Sequence, residues 1–381
     1  MLLNDYLRRQ FGCKVYKLAL NGGFTCPNRD GTLDTRGCIF CSAGGSGEFA
    51  QNPNLSIKEQ IELAKQKVAG KIKDGKYIAY FQAYTGTYPP CSTPVDTSTK
   101  CIPSNVTFKK CNQTCDNHNT STFTAGSNGV TDTAVDGLPK IHQNISCNIP
   151  YLRQKYLEAI NHPDVVALSI ATRPDCLPEE VLDLLFEVNK IKPVWIELGL
   201  QTIHETTAQY IRRGYNLSVY DDAVRKLRKR GIEVITHVIL GLPGETKEDM
   251  LATVRYVCDS GATGIKLQLL HVLKGTDLEK VYLEKISDSE NLIVGKNLTV
   301  GKNLAVGSDV FKKKDLYANI QNFNILSEDE YIDLLKVCVA IIPEDIVIHR
   351  LTGDGDKKLL VAPLWSANKK HVWNRIQHEV F

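Results

Sequence analysis

Cys38-Ile39-Phe40-Cys41 is a CxxC, which directs two thiols at one metal or cluster, and Cys26 adds a third thiol twelve positions upstream. The stretch between, CPNRDGTLDTRGC, is rich in Gly and Asp and predicts a loop. Gly44, Gly45 and Gly47 follow, where backbone N–H groups can approach a ligand closely. Three thiolates on one loop leave a coordination position open. Structural zinc sites close all four positions, and no nearby Cys or His offers a fourth ligand. A four-iron cluster held by three thiolates keeps one iron for an outside ligand. From the residues alone the readings are such a cluster, a zinc loop or a redox pair.

The chain has 12 cysteines in all. Cys13, Cys176, Cys258 and Cys338 stand singly and are expected to be small buried hydrophobes. Cys91, Cys101, Cys111, Cys115 and Cys147 lie in a polar stretch, and a second metal site there is left open. Over 381 residues, 43% are hydrophobic and 23% charged, the composition of a folded chain. A net charge of +3 argues against a protein that coats polyanions wholesale but leaves room for a local basic patch. No apolar run approaches the length of a membrane span. Residues 1–11 carry Asp5, Arg8 and Arg9 and no apolar stretch, so no signal peptide is expected. Cysteines without an export signal point to metal or redox chemistry in the cytoplasm.

The elements that must position this loop read as strands alternating with helices. Apolar strands are predicted at 76–84, 164–171, 193–200, 232–241 and 264–270, with helical patterns at 218–230 and 246–260 and another starting at Pro178. The fold class is therefore α/β, a parallel sheet closed into a partial or complete (β/α) barrel, with chemistry at the C-terminal strand ends. Polar residues recur there: Gln82, Tyr84 and Thr85; Ser169, Thr172 and Arg173; Glu197 and Gln201; His237 and Gly241; Gln268 and His271.

These segments carry a resemblance. NGGFTCPNRDGT and GCIFCSAGGSGEFA resemble the cluster loop of radical S-adenosylmethionine (SAM) proteins of the YhcC/YtqA type, within the Elongator-catalytic-subunit-like branch. IELGLQTIHETTAQYIRRGYN and THVILGLPGET resemble the SAM-contacting strand ends of that branch. LSIATRPDCLPEEVLDLL, GIKLQLLHVLKGTDLE and IHRLTGDGDKKLLVAPLWSANKK resemble the YhcC/YtqA type itself. The resemblance implies a radical SAM barrel in which Cys26, Cys38 and Cys41 hold a [4Fe–4S] cluster. That cluster would cleave SAM reductively to a 5′-deoxyadenosyl radical, with a one-electron donor such as flavodoxin or ferredoxin. It implies SAM contacts from Phe40 at the adenine and from Gln82 to Thr85 in place of the family's Gly-Gly-Glu stretch. Ser169 is a further candidate. Arg173 would clamp the carboxylate, Glu197 and Gln201 the ribose, and Ile239, Leu240 and Gly241 the adenine. RNA, and the tRNA wobble uridine in particular, is the substrate candidate of that branch. The competing reading is a non-catalytic iron–sulfur or zinc module for electron transfer or RNA binding.

The resemblance leaves out two stretches, 88–149 and 287–322. The expected organisation is a core over 1–286 interrupted by the first, the second insertion, and a C-terminal region over 323–381. The first insertion is rich in Ser, Thr, Asn and Cys and is expected to be weakly folded. The second repeats NLIVGK, NLTVGK and NLAVGS and reads as a flap or loop. Two basic runs are candidate phosphate contacts: Arg225, Lys226, Arg228, Lys229 and Arg230 on a helix, and Lys357, Lys358, Lys369, Lys370 and Arg375 further on.

Overall fold

The computed structural model describes residues 1–72, 75–90, 140–293, 324–353 and 355–381. Seven parallel strands run in sequence order across one sheet: β1 (Val15–Leu20), β2 (Lys76–Phe81), β3 (Val165–Thr172), β4 (Val194–Gln201), β5 (Glu233–Leu240), β6 (Gly264–Leu269) and β8 (Val347–Arg350). A short antiparallel pair, β7 (Val272–Leu273) with β9 (Leu360–Ala362), lies outside it. β1 and β8 are the sheet's two edges, so it curls into a half-barrel. The start of the chain ties to the far edge, where Ile348 N donates to the Met1 carbonyl at 2.8 Å.

The helices are α1 (Leu3–Phe11), α2 (Ile57–Val68), α3 (Lys140–Cys147), α4 (Ile149–Ile160), α5 (Glu179–Asn189), α6 (Glu205–Tyr210), α7 (Leu217–Lys229), α8 (Lys247–Asp259), α9 (Asp277–Ile293), α10 (Glu328–Ile341) and α11 (Lys369–Glu379), and most of them cover the outer face. Their starts are written locally. α2, α8 and α10 open with capping boxes, Ser56/Glu59, Thr246/Asp249 and Ser327/Glu330. α5 has Glu179 and Glu180 in its first turn, favourable at the positive end of the helix dipole. Outward strand residues such as Leu168, Leu198 and Leu240 join inward helix residues such as Ile61, Leu185 and Leu227 in the main core. Each fully buried side chain of this kind stabilises the fold by roughly 1.5–3 kcal/mol.

The inner face is layered, because strand side chains alternate with period two. Lowest lies an apolar plug of Val15, Ile78, Ala167, Trp195 and Ile235, covered by Leu7 of α1. Two residues further along the same strands come Lys17, Tyr80, Ser169, Glu197 and His237. The next step brings Ala171, Gly199 and Ile239 to the wall of an open cavity, and above them Arg173 and Gln201.

One expectation changes here. β1 and β8 extend the five strands read from the sequence, and both carry polar residues that interrupt an apolar run. Within the stretch read as the first insertion, α3 packs Ile141 and Ile145 into the main core, and Tyr88 is fully buried. Cys147 is exposed at the end of α3. The other insertion cysteines, and most of the hexapeptide repeat, lie outside the described residues. No helix among those residues is long and apolar enough to cross a membrane.

Candidate active site

A cavity of about 250 Å³ opens at the C-terminal ends of the strands, with Cys26, Cys38 and Cys41 on its wall. The loop that presents them is held by its own backbone. Arg29 N donates to the Cys26 carbonyl at 2.8 Å, Gly37 N to Asn28 O at 2.7 Å, and Cys41 N to Cys38 O at 3.0 Å. The buried Asn28 amide donates to the Cys38 sulfur at 3.5 Å and to the Arg212 carbonyl at 2.7 Å, fixing the loop to the segment after α6. Arg29 donates to the Cys41 carbonyl at 3.0 Å. Two glycines are required by close approach. A Cβ on Gly45 would stand 2.4 Å from the Tyr84 ring, and one on Gly47 2.5 Å from Ala83 Cβ. This contact brings the cysteine loop against the end of β2, where Tyr84 N donates to Gly45 O at 2.9 Å.

Burial pushes the Cys38 thiol up to about 12 and raises Cys41 as well, with neighbouring sulfurs adding to the effect. Buried thiols of this kind ionise when metal cations bind them. No three His, Cys, Asp or Glu side chains among the described residues group as ligands of a single metal ion. A four-iron cluster instead presents a separate iron to each thiolate. Three soft donors on one wall of a cavity fit such a cluster.

Most of the expected contact residues meet at this cavity. Phe40, Gln82, Thr85, Arg173, Glu197, Gln201 and Ile239 all line it. Arg173 reaches it already paired. It binds Asp175 through two parallel hydrogen bonds, 2.9 Å from Nε and 2.6 Å from Nη2, and its guanidinium lies 5.2 Å over the Tyr215 ring. Leu240 does not reach it. It follows Ile239 on β5 and points outward into the helix-side core. Gly241 lines a different cavity with Glu245, Met250 and Leu326. Alternation on β5 lets only one of Ile239 and Leu240 face inward, and Gly241 lies past the strand's end at a φ of 90°, where the chain turns away.

Glu197 and Ser169 also differ from expectation. Glu197 is 1% exposed, and its two oxygens are taken by Lys17 Nζ at 2.6 Å, Ser169 Oγ at 2.8 Å, His237 Nε2 at 2.9 Å and Lys266 Nζ. Burial pushes its carboxyl up, but Lys17, Lys266 and His237 outweigh this and hold it well below the usual range. It is a fully paired anion, and Ser169 is one of the groups that hold it. The sequence reading passed over Lys17, Lys266 and Asp175. The signal for the two lysines was present, since each interrupts an apolar strand, in VYKLAL and GIKLQL.

The first basic run is partly paired with carboxylates and far from the cavity. Arg225 pairs with Asp222, Lys226 with Glu179 at 3.0 Å, and Arg230 with Asp183 at 2.9 Å. α7 ends where β5 begins, at the opposite end of the barrel from the cysteines. The lysines of the second run lie on the cavity side, whereas its Arg375 is paired with Asp329 and Glu379. Lys369 Nζ stands 5.4 Å over the ring of Phe49, beside the cavity residue Glu48, and Lys357, Lys358 and Lys370 are exposed.

Residues 128–257 match the radical SAM superfamily, and residues 314–381 match the radical SAM C-terminal domain. YtqA of Bacillus subtilis strain 168 is 38% identical over 378 residues, covering 99% of this chain and 88% of YtqA. YhcC of Escherichia coli K12 is 30% identical over 364 residues, covering 95% of this chain and 86% of YhcC. A shorter match to a tRNA uridine(34) acetyltransferase of Dehalococcoides mccartyi is 31% identical and covers 31% of this chain and 26% of that protein. The solved structure of Methanocaldococcus infernus Elp3 with an N-terminal deletion is similar over 96% of this chain and 63% of that one. Its TM-score is 0.54 at 13% identity, a likeness of fold.

Proposed function

From this chain's membership of the radical SAM superfamily, beside YtqA and YhcC, we propose that it is an enzyme that cleaves SAM reductively and modifies tRNA. Members of the superfamily use a [4Fe–4S] cluster and SAM. Cys26, Cys38 and Cys41 are the residues that hold the cluster. The observation that carries this reading is their convergence on one cavity at the C-terminal strand ends.

When bound, the cluster and SAM supply a 5′-deoxyadenosyl radical that removes a hydrogen atom from substrate. The chain's residues bind, orient and exclude water. Phe40 and Ile239 offer apolar surface to the adenine. Arg173, steadied by Asp175 and Tyr215, keeps a guanidinium edge for the methionyl carboxylate. Gln82 and Thr85 serve the amino group, and Gln201 takes the ribose contact, since Glu197 is committed elsewhere. A one-electron donor such as flavodoxin or ferredoxin supplies the electron.

Two observations support tRNA as substrate. The shorter relatives are named for acting on tRNA uridine(34). The exposed lysines of the second basic run stand on the cavity side of the molecule, suited to phosphates. Anaerobic reconstitution with iron and sulfide, then dithionite and SAM, tests the chemistry. A cluster near four irons and formation of 5′-deoxyadenosine are expected, and a wild-type protein that forms none would refute the reading. The tRNA assignment is tested by nucleoside profiling of tRNA from a strain lacking the protein, in which one modified uridine should disappear.

A further inference from the structure

Beneath the cysteines, the cavity descends to Tyr80, Glu197, His237, Gln268 and Arg350. Nothing in the cluster or SAM chemistry uses this polar floor. His237 lies in it with a defined protonation state. Its Nε2 is 2.9 Å from Glu197 Oε2, and Glu197 is held as a carboxylate by Lys17 and Lys266. A carboxylate only accepts, so Nε2 carries a proton. Burial, then the charges of Lys266 and Arg350, push the imidazole down to about 4 against the pull of Glu197. The ring is therefore neutral near pH 7, and its single proton faces Glu197. Nδ1 is left with a lone pair, and it makes no hydrogen bond among the described residues.

We infer that His237 is a substrate-contacting residue whose Nδ1 accepts a hydrogen bond from an N–H of the substrate, the N3–H of a uracil ring. The choice of ring rests on the tRNA reading above. A base acted on by an enzyme is taken out of its stack and read along its Watson–Crick edge. In uridine N3–H is the donor of that edge. In cytidine N3 is an acceptor and would set two lone pairs against each other. A neutral histidine of fixed tautomer therefore admits uracil and rejects cytosine. The ion cluster has a purpose in this account: Lys17, Ser169 and Lys266 hold Glu197, and Glu197 holds the imidazole in the accepting form.

Two substitutions separate this role from a structural one. In His237→Asn the amide oxygen takes the place of Nδ1, and the contact with Glu197 is lost. In His237→Gln the amide nitrogen takes the place of Nε2, which keeps the Glu197 contact and loses the acceptor. Each is returned to a strain lacking the protein, and the nucleoside missing from that strain's tRNA is measured. Iron content and melting of the purified variants check folding. We expect Asn to restore the nucleoside and Gln to fall about tenfold or more below it. With tRNA from the deletion strain, the apparent KM read by 5′-deoxyadenosine formation should rise about tenfold in Gln. Equal restoration by the two variants, or Gln above Asn, overturns the inference and leaves the tRNA reading standing. If wild-type protein restores no nucleoside, the tRNA reading falls and the uracil assignment falls with it.

Discussion

At the mouth of the half-barrel, Cys38 and Cys41 are half-buried acids whose surroundings favour the protonated form. Lower down the same interior, Glu197 is a buried acid that the chain keeps ionised. Burial opposes charge in both places. The difference lies in the partners. Glu197 receives two ammonium groups, a hydroxyl and an imidazole from four other strands. The thiols receive an Asn28 amide and the nearby charges of Arg29 and Arg173, too little to offset burial. One anion is completed by the protein itself, and on the function proposed above the other set is completed by metal cations. This is how a cofactor site and a structural charge cluster differ when both are buried.

The comparison can be broken in stages. Cys38→Ala should have the largest effect, with 5′-deoxyadenosine formation falling to background and iron content dropping after anaerobic reconstitution. Cluster content and activity equal to wild type would show that the thiols are not completed by metal. Glu197→Ala should act on stability instead. It leaves the buried Lys266 without its anion, at a cost of about 3–5 kcal/mol measured by denaturant unfolding.

Glu245 offers an intermediate case, a mostly buried carboxyl beside Thr202, Thr207 and His204. Burial pushes it up to about 7, and Thr202 and His204 pull it back only in part. Between pH 4.5 and 7 the folded protein holds a proton that the unfolded chain has released. Stability from this group is therefore present at the acid end and lost as pH rises through that window. Glu245→Gln should flatten the dependence, gaining about 1–3 kcal/mol relative to wild type above pH 7 and little at pH 4.5. A difference independent of pH would refute this.

Asp175→Ala removes the partner that steadies Arg173 and should raise the KM for SAM about tenfold with cluster content unchanged. The smallest effect belongs to the surface. Neutralising Arg225 and Lys226 should cost under about 1 kcal/mol and leave tRNA binding in place. Neutralising Lys357, Lys358 and Lys370 should weaken that binding and flatten its salt dependence. The opposite result would move the RNA face to the other end of the barrel.

Much of this was legible in the sequence because it depends on near neighbours along the chain. The five apolar strands were placed within a few residues, since parallel strands buried on both faces read as apolar runs. The cysteine loop declared itself by residue type and spacing. β1 and β8 did not, because Lys17, His349 and Arg350 break the pattern that marks a buried strand. Leu240 was grouped with Ile239 because a motif is read as a block, whereas the pleat sends adjacent side chains to opposite faces. The run ending at Arg230 looked like a phosphate patch because its acidic partners, Glu179 and Asp183, stand far away in sequence on α5.

By itself, then, the sequence determined the class of fold, the thiol set and the polar character of the strand ends. These follow from periodicity and from ligand types carried on one short loop. Only the tertiary structure decided which polar residues are available to a ligand and which are committed to one another. Glu197 and His237 lie on neighbouring strands, β4 and β5, and β4 places the carboxylate where cations from β1 and β6 also arrive. Charge state and tautomer in a buried site depend on every group within reach, and the curl of the sheet sets that reach.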